Sequence, residues 1–207
     1  MIKTISKTDL EKCIYRVRNA GDKERSDDKY NEASVLVLFI NDKVKKNSSI
    51  LMIKRKDNLR KHAGQIAFPG GRKEKEDFNL EETAKRETEE EINIHGEHYS
   101  VVGKFPKFFT GTGYVVTPFL GIINSNSNWR KLLKPNLGEV EQVFFPPTDF
   151  LLSPEYQLRE KPPINSSMSM TWTINYNNKN IWGLTARVLV TISAGLGLRE
   201  FPPCDDI

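Results

Sequence analysis

Four of the five residues 87–91 are glutamates (Glu87, Glu89, Glu90 and Glu91), and Arg86 stands directly before them. Nearby apolar positions set their context. Leu80, Ala84, Thr88 and Ile92 recur every four residues, which lays one stripe along a helix and turns it to the core. A helix is therefore predicted over Leu80–Ile92. Glu81 with Lys85, and Glu82 with Arg86, are i,i+4 pairs of the favourable polarity. At about 100° per residue, Glu87, Glu90 and Glu91 fall within an arc of about 100°, and Glu89 lies on the far side. Three like charges on one face repel unless a counter-charge is supplied. A hard divalent cation supplies one, and Mg²⁺ prefers oxygen ligands while keeping part of its water shell for substrate phosphates. A solvated acidic face is the other reading of the same residues.

The remaining segments alternate in type. Residues 4–18 carry Ile5, Leu10, Cys13, Ile14 and Val17 on one helical face, with Ser6 or Thr8 as the cap. A charged, turn-rich loop is expected over 21–32. Residues 34–40 are rich in Val, Leu and Phe and read as a buried strand; a polar turn from Asn41-Asp42 to Ser49 leads to a returning strand at 50–53. Residues 54–63 are basic and irregular, and 65–68 form a short strand stopped by Pro69-Gly70-Gly71. Beyond the acidic helix, strands are expected at 99–102, 115–123, 139–145 and 169–176. A turn at 177–180 precedes Ile181-Trp182, and Ala186, Val188, Leu189 and Ile192 predict a closing helix over 185–198. Interleaved helices and strands without an internal repeat indicate one mixed α/β or α+β domain.

Composition excludes several classes. With 207 residues, 38% hydrophobic and 28% charged, the chain has the size of one domain with extensions and enough material for a core. A net charge of +4 is too small to argue for nucleic acid and suits a modest anionic substrate equally. The longest apolar run, 35–40, is too short to span a bilayer, and the first residues hold no run long enough for a secretory leader. Cys13 and Cys204 have no CxxC or CxxxH neighbour, so two free thiols in a reducing, cytoplasmic setting are expected. Asp205 and Asp206 exclude a prenylation tail.

Phe68-Pro69-Gly70-Gly71 precedes the acidic helix, and its glycines permit close backbone approach to a ligand. Together with Arg86, Glu87, Glu90, Glu91 and Ile94, this segment resembles the Nudix hydrolase family, whose signature is G-x5-E-x7-R-E-U-x-E-E-x-G-U. Three positions differ. Thr88 replaces an aliphatic residue; Asn93 replaces glycine but tolerates a left-handed helix end; and Asp77 is followed by eight residues, not seven, before Arg86. The resemblance is closest to the coenzyme A pyrophosphatase branch, which carries the same insertion. That branch has the upstream pattern L-L-T-x-R-[SA]-x3-R-x3-G-x3-F-P-G-G. Here it reads Leu51-Met52-Ile53-Lys54-Arg55-Lys56, then Arg60, Gly64 and Phe68-Pro69-Gly70-Gly71, departing at Ile53 and Lys56. Gly113-Tyr114-Val115-Val116-Thr117-Pro118, Glu139-Val140-Glu141-Gln142-Val143-Phe144 and Ile181-Trp182-Gly183-Leu184-Thr185-Ala186 resemble the branch's GYxVTP, EVxxVF and IWGxTA segments, in family order.

The resemblance implies a Nudix α/β/α sandwich with a mixed central sheet over 34–207, with 1–33 as an N-terminal helix and loop extension. It also implies metal-dependent hydrolysis of a pyrophosphate bond. Glu87, Glu91 and Glu90 are the expected ligands of Mg²⁺ or Mn²⁺. Arg86 is expected to hold the glutamate array through an ion pair with a loop acid such as Asp77, and Glu89 to be a solvated spectator. The general base is a glutamate of the box, such as Glu90, or a later one, Glu139, which otherwise reads as a strand-edge charge. Arg55 and Arg60 are expected at phosphate, since planar guanidinium groups suit bidentate contacts; a basic surface is the alternative. Gly70 and Gly71 are expected beside substrate, and His62 as a local hydrogen-bonder. Phe108, Phe109 and Tyr114 either flank an adenine or pantetheine arm or belong to the core. The implied substrate is coenzyme A or acyl-CoA, giving 3′,5′-ADP and 4′-phosphopantetheine or its acyl form. Alternatives are another nucleoside diphosphate derivative, such as ADP-ribose or an NDP-sugar, and a non-catalytic nucleotide-binding module.

Overall fold

The apolar run at 35–40 is a strand with a core on each side. Leu36, Leu38 and Ile40 enter one buried cluster, while Val37 and Phe39 enter another, the period of two that a pleated strand imposes. A strand covered on both faces reads as continuous apolar sequence. The computed structural model describes residues 4–20, 29–42, 46–58, 63–123, 128–163 and 170–202. Arg60, His62 and Cys204 lie outside the described residues.

In chain order the elements are α1 (Lys7–Asn19), β1 (Asn31–Asp42), β2 (Asn47–Ile50), β3 (Met52–Arg55), β4 (Ile66–Ala67), β5 (Gly70–Arg72), α2 (Leu80–Ile92), β6 (Tyr99–Lys104), β7 (Phe108–Phe109) and β8 (Tyr114–Ile123). There follow α3 (Trp129–Leu132), β9 (Val140–Phe144), α4 (Thr148–Leu151), β10 (Leu158–Glu160), β11 (Thr171–Tyr176), β12 (Lys179–Trp182) and α5 (Gly183–Gly195). Strands β1 and β8 pair in parallel at the centre of the main sheet. Antiparallel β5 and β2 share the other edge of β1, and antiparallel β7 and β6 that of β8. Two smaller antiparallel sheets have the orders β4-β3-β9 and β10-β11-β12. Helix α2 covers one side, where Ala84 and Ile92 meet Leu36, Leu38, Leu51 and Ile53. Helices α1 and α5 cover the other, where Cys13, Ile14, Val188, Leu189 and Ile192 meet Val37 and Phe39. The architecture is a mixed α/β sandwich around a mixed central sheet. No helix among the described residues is long and apolar enough to cross a membrane.

Several boundaries differ from the expectation for tertiary reasons. Asn41 and Asp42 remain in β1 because they pair with Ser48 and Asn47 of β2. The returning strand divides at Leu51; β2 completes the hairpin and β3 enters the second sheet, so Lys54 and Arg55 sit on a strand. Gly70 and Gly71 do not end a strand but begin β5, paired with Val35 and Ser34. A Cβ at Gly70 would run into the Ser34 carbonyl and the Val35 backbone. The later turn contracts to Asn177-Asn178, both at positive φ, with Lys179 and Asn180 already paired. Helix α5 starts and ends earlier than expected. Ser6 is the cap of α1, in a reciprocal capping box with Asp9. Phe108 is core, stacked at 6.3 Å on Phe105.

Helices α1 and α5 meet at Gly195, where an added Cβ would strike Cys13 Sγ and Val17 Cγ2. Burial of Cys13 pushes its thiol up to about 12, so it packs as a small apolar group. Gly195→Val should lower the unfolding free energy by about 1–3 kcal/mol through overpacking, read as a lower urea midpoint with an unchanged m-value. An unchanged midpoint would show that the two helices do not meet closely there.

Candidate active site

Helix α2 is bounded by two asparagines. The Asn79 side chain accepts from the N–H groups of Glu81 and Glu82 at 2.8 and 3.0 Å, satisfying two of the free donors of the first turn. Asn93 ends the helix at φ 58° and ψ 38°, the left-handed conformation that glycine more often supplies. Along the stripe, Ala84, Thr88 and Ile92 are buried. Thr88 fits because its hydroxyl donates to the Ala84 carbonyl at 2.7 Å. Lys85 pairs with Glu81 at 2.8 Å as expected, but also with Glu82 at 3.5 Å. Glu82 does not engage Arg86, which turns to other acids.

Arg86 is the hub of the site. Its Nε and Nη2 donate to the two Asp77 oxygens at 2.9 and 3.0 Å, and Nη2 also to the Arg72 carbonyl at 3.2 Å. Its Nη1 donates to Glu87 Oε1 at 3.0 Å and to Glu90 Oε2 at 3.1 Å. Asp77 further accepts from the Glu74 N–H and the Thr83 hydroxyl, both at 2.9 Å. Hydrogen bonds from Arg86 hold the Asp77 carboxyl well below the usual carboxylate range; the Glu74 and Thr83 donors add to this against the opposing effect of burial.

Glu91 stands apart in character. Its side chain is 2% exposed, with Oε1 taking Arg55 Nη1 at 2.8 Å and Oε2 the Gly70 N–H at 3.1 Å. Burial pushes its carboxyl up to about 8, although Arg55 and the Gly70 N–H pull the other way; Glu87 and Glu139 add repulsion. Glu87 is also raised, first by burial, with Arg86 opposing and Glu90 and Glu139 adding. Gly71 lies against the Glu87 carboxylate, in space a Cβ would fill. Glu139, immediately before β9, is 48% exposed and 3.7 Å from Arg55 Nη2. Glu89 points elsewhere and pairs with His95 at 3.0 Å.

The structure thus gathers Glu87, Glu90, Glu91, Glu139, Arg86, Arg55, Gly70 and Gly71 around one face of α2. Arg55 is turned to Glu91 and Glu139 rather than to an open surface. Among the described residues, no three His, Cys, Asp or Glu side chains converge closely enough to hold a metal ion as they stand. Two guanidinium groups occupy the counter-charge positions instead. The donors are nevertheless all carboxylate oxygens, the chemistry that suits Mg²⁺ and Mn²⁺. Crowding and burial of Glu87 and Glu91 disfavour their negative charge, which a cation would relieve, so the residues fit a divalent ion.

The sequence reading missed the wall beside Glu87. A cavity of about 330 Å³ is lined by Arg72, Lys73, Glu74, Lys75, Glu76 and Glu87. The available signal was the basic content of the loop between Gly71 and Asp77. A larger cavity, about 470 Å³, includes Lys54, Gln142, Asn178 and Trp182 and none of the expected site residues. Lys54 faces it and Arg55 faces Glu91, as alternation along β3 requires.

A family profile described as the NUDIX domain matches residues 31–165. The chain is 36% identical over 161 residues to a protein of Pectobacterium atrosepticum named uncharacterized Nudix hydrolase NudL, covering 76% of this chain and 79% of that protein. A Yersinia pestis protein of the same name is 36% identical over 160 residues, covering 76% of this chain and 75% of its own length. Among solved structures, a MutT/nudix family protein from Enterococcus faecalis aligns with a TM-score of 0.49 at 15% identity, covering 91% of this chain and 73% of that one. A C. elegans Ap4A hydrolase complex aligns with a TM-score of 0.46 at 18% identity, covering 56% and 80%.

The Asp77 geometry sets a pH dependence. Its folded pKa lies below the ordinary 3.8, so its contribution is complete above that value and is lost as pH falls through and beneath it. Asp77→Asn should lower stability by about 1.5–3 kcal/mol at neutral pH, the usual range for hydrogen bonds to charged groups. The gap from wild type should narrow below about pH 4. Urea midpoints for both proteins between pH 7 and pH 3 check this, and a constant gap would remove Asp77 as the linked group.

Proposed function

The chain belongs to the Nudix hydrolase family, and from that membership we propose that it hydrolyses the pyrophosphate bond of coenzyme A or an acyl-CoA with Mg²⁺ or Mn²⁺. The products are 3′,5′-ADP and 4′-phosphopantetheine or its acyl form. The observation that carries this reading is the attachment of the upstream signature to the acidic helix. Arg55 and Gly70 belong to that signature, and both donate to the buried Glu91.

Splitting a phosphoric anhydride requires a positioned water, offset of charge on the phosphoryl oxygens and alignment of the leaving group. Glu87 and Glu91, one turn apart on α2, are the principal ion ligands, with Glu90 beside them. A divalent ion held there lowers the pKa of water and offsets phosphoryl charge. Arg86 keeps Glu87 and Glu90 aligned by bonding both, and Asp77 keeps Arg86 in place. The proton of the attacking water passes to a carboxylate with solvent access. Glu90 and Glu139, with side chains 56% and 48% exposed, meet that condition, and Glu91 at 2% does not. The backbone at Gly70 and Gly71 brings β5 directly against Glu91 and Glu87. Glycine is needed at both positions, because a Cβ at Gly70 would strike the backbone of β1 and one at Gly71 would displace the Glu87 carboxylate.

A timed incubation of the purified protein with coenzyme A and Mg²⁺ or Mn²⁺, with products identified by mass, tests the proposal. Wild type should release 4′-phosphopantetheine. Glu87→Gln and Glu91→Gln should each reduce kcat by about 100-fold or more, while Glu89→Gln stays within about twofold. Intact coenzyme A with cleavage of ADP-ribose or an NDP-sugar would keep the chemistry and discard the substrate. Equal damage from all three variants would remove the division of roles on α2.

A further inference from the structure

Glu91 is a buried carboxylate, and Arg55 is the cation it holds. Arg55 Nη1 donates to Oε1 at 2.8 Å, while the Gly70 N–H donates to Oε2 at 3.1 Å. With the side chain 2% exposed, few directions are open to an approaching ion. The Gly70 donor is backbone and stays with β5. The oxygen an ion can take is therefore the one that Arg55 holds, so the two cations compete for Oε1.

The guanidinium is loosely held for so buried a group. Its Nε is buried with no hydrogen-bond partner among the described residues, so the fork is secured at its tips alone. The main chain of Arg55 is fixed, its N–H donating to the Gln65 carbonyl at 3.0 Å. The register of β3 against β9 shifts between Lys54 and Arg55, an irregularity that re-aims a side chain beside a site. A second acid lies within reach, because Nη2 is 3.7 Å from Glu139 Oε2, and Glu139 is 48% exposed. Vacating Glu91 with nothing in return would leave a buried charge uncompensated, which is strongly unfavourable. Release of the arginine is therefore coupled to the arrival of another cation. A divalent ion outcompetes one guanidinium, since it carries twice the charge and takes the Glu87 carboxylate as well.

We propose that Arg55 is an exchangeable internal cation, which holds Glu91 in place until a divalent ion takes Oε1 and then turns to Glu139. Arg55 is thereby a positioning residue that sets how tightly the ion binds. The proposal rests on the reading of Glu91 as an ion ligand and adds the group that the ion displaces.

Calorimetric titration of the full chain with Mn²⁺, without substrate, provides a readout independent of turnover. Arg55→Met keeps the apolar stem and removes the charge. It should tighten Mn²⁺ binding about tenfold, the scale of one hydrogen bond to a charged group. Arg55→Lys, which keeps a charge but loses the fork, should also bind more tightly than wild type, by a smaller factor, and carries the test by itself if Arg55→Met does not fold. Lys54→Met removes a charge one residue away on the other face of β3 and should leave the Mn²⁺ Kd within about twofold. In EDTA, Arg55→Met should unfold at a lower temperature than wild type, and saturating Mn²⁺ should narrow that gap. Weaker or unchanged Mn²⁺ binding in both Arg55 variants would overturn the proposal, leaving Arg55 a purely structural partner of Glu91. An equal gain in Lys54→Met would overturn it as a general effect of charge. If wild type binds no Mn²⁺, the reading of Glu91 as an ion ligand falls with it. A tenfold gain in a chain that leaves coenzyme A intact would keep the exchange and discard the substrate.

Discussion

The site depends on the two-pronged bond between Arg86 and Asp77. It ties the loop after β5 to the middle of α2, and the contacts of Glu87, Glu90 and Glu74 run from its two ends. From Arg86, Nη1 reaches Glu87 and Glu90. From Asp77, bonds run to the Glu74 N–H and the Thr83 hydroxyl. An arginine fork suits this task because its donors lie in a fixed plane, so fixing Asp77 at one edge orients the other edge toward the glutamates. The same arginine holds the Arg72 carbonyl, which makes the cavity wall and the acidic face parts of one rigid unit.

The electrostatic argument from the helix alone was that three glutamates on one face need a counter-charge. The structure answers with guanidinium groups from two directions: Arg86 from within α2, and Arg55 from β3. Both leave carboxylate oxygens that are not committed, as Glu90 and Glu139 show by their exposure. The arrangement is thus a carboxylate cluster stabilised by two guanidinium groups, in which burial still works against ionisation of Glu87 and Glu91. A cation beside them would favour the charged form of both.

How much of this was legible depended on the range of the interaction. Helix α2 was readable to its ends because its period, its caps and its charge pairs are all local. The Arg86–Asp77 bond spans nine positions and was readable through the displaced acid of the signature. The Arg55–Glu91 bond spans 36 positions and has no local mark, so the partner of Arg55 within the protein was not legible. Strand β5 escaped notice because Gly70-Gly71 has no strand propensity; it is a strand only because β1 offers it a partner. The break at Leu51 has no local mark either, since Ile50, Leu51, Met52 and Ile53 are all fully buried and simply alternate between the two cores. Elements β10, α3 and α4 span three or four residues each, too few to express a period.

Glu91 shows why such a site survives in a folded chain. A buried ion pair with one arginine is weak evidence for stability, because a well-packed apolar residue of similar size would often serve the fold as well or better. Position 91 sits one residue before Ile92 and among buried side chains, where leucine would fit the local pattern. The chain instead places a carboxylate there, covers it almost fully, and provides one backbone N–H and one guanidinium to keep it tolerable. The two providers come from β3 and β5. Burial of Glu91 therefore fixes the relative position of α2, β3 and β5. A carboxylate that sets three elements at once, where an apolar side chain would often serve the fold as well, is best explained by the chemistry of the site it borders.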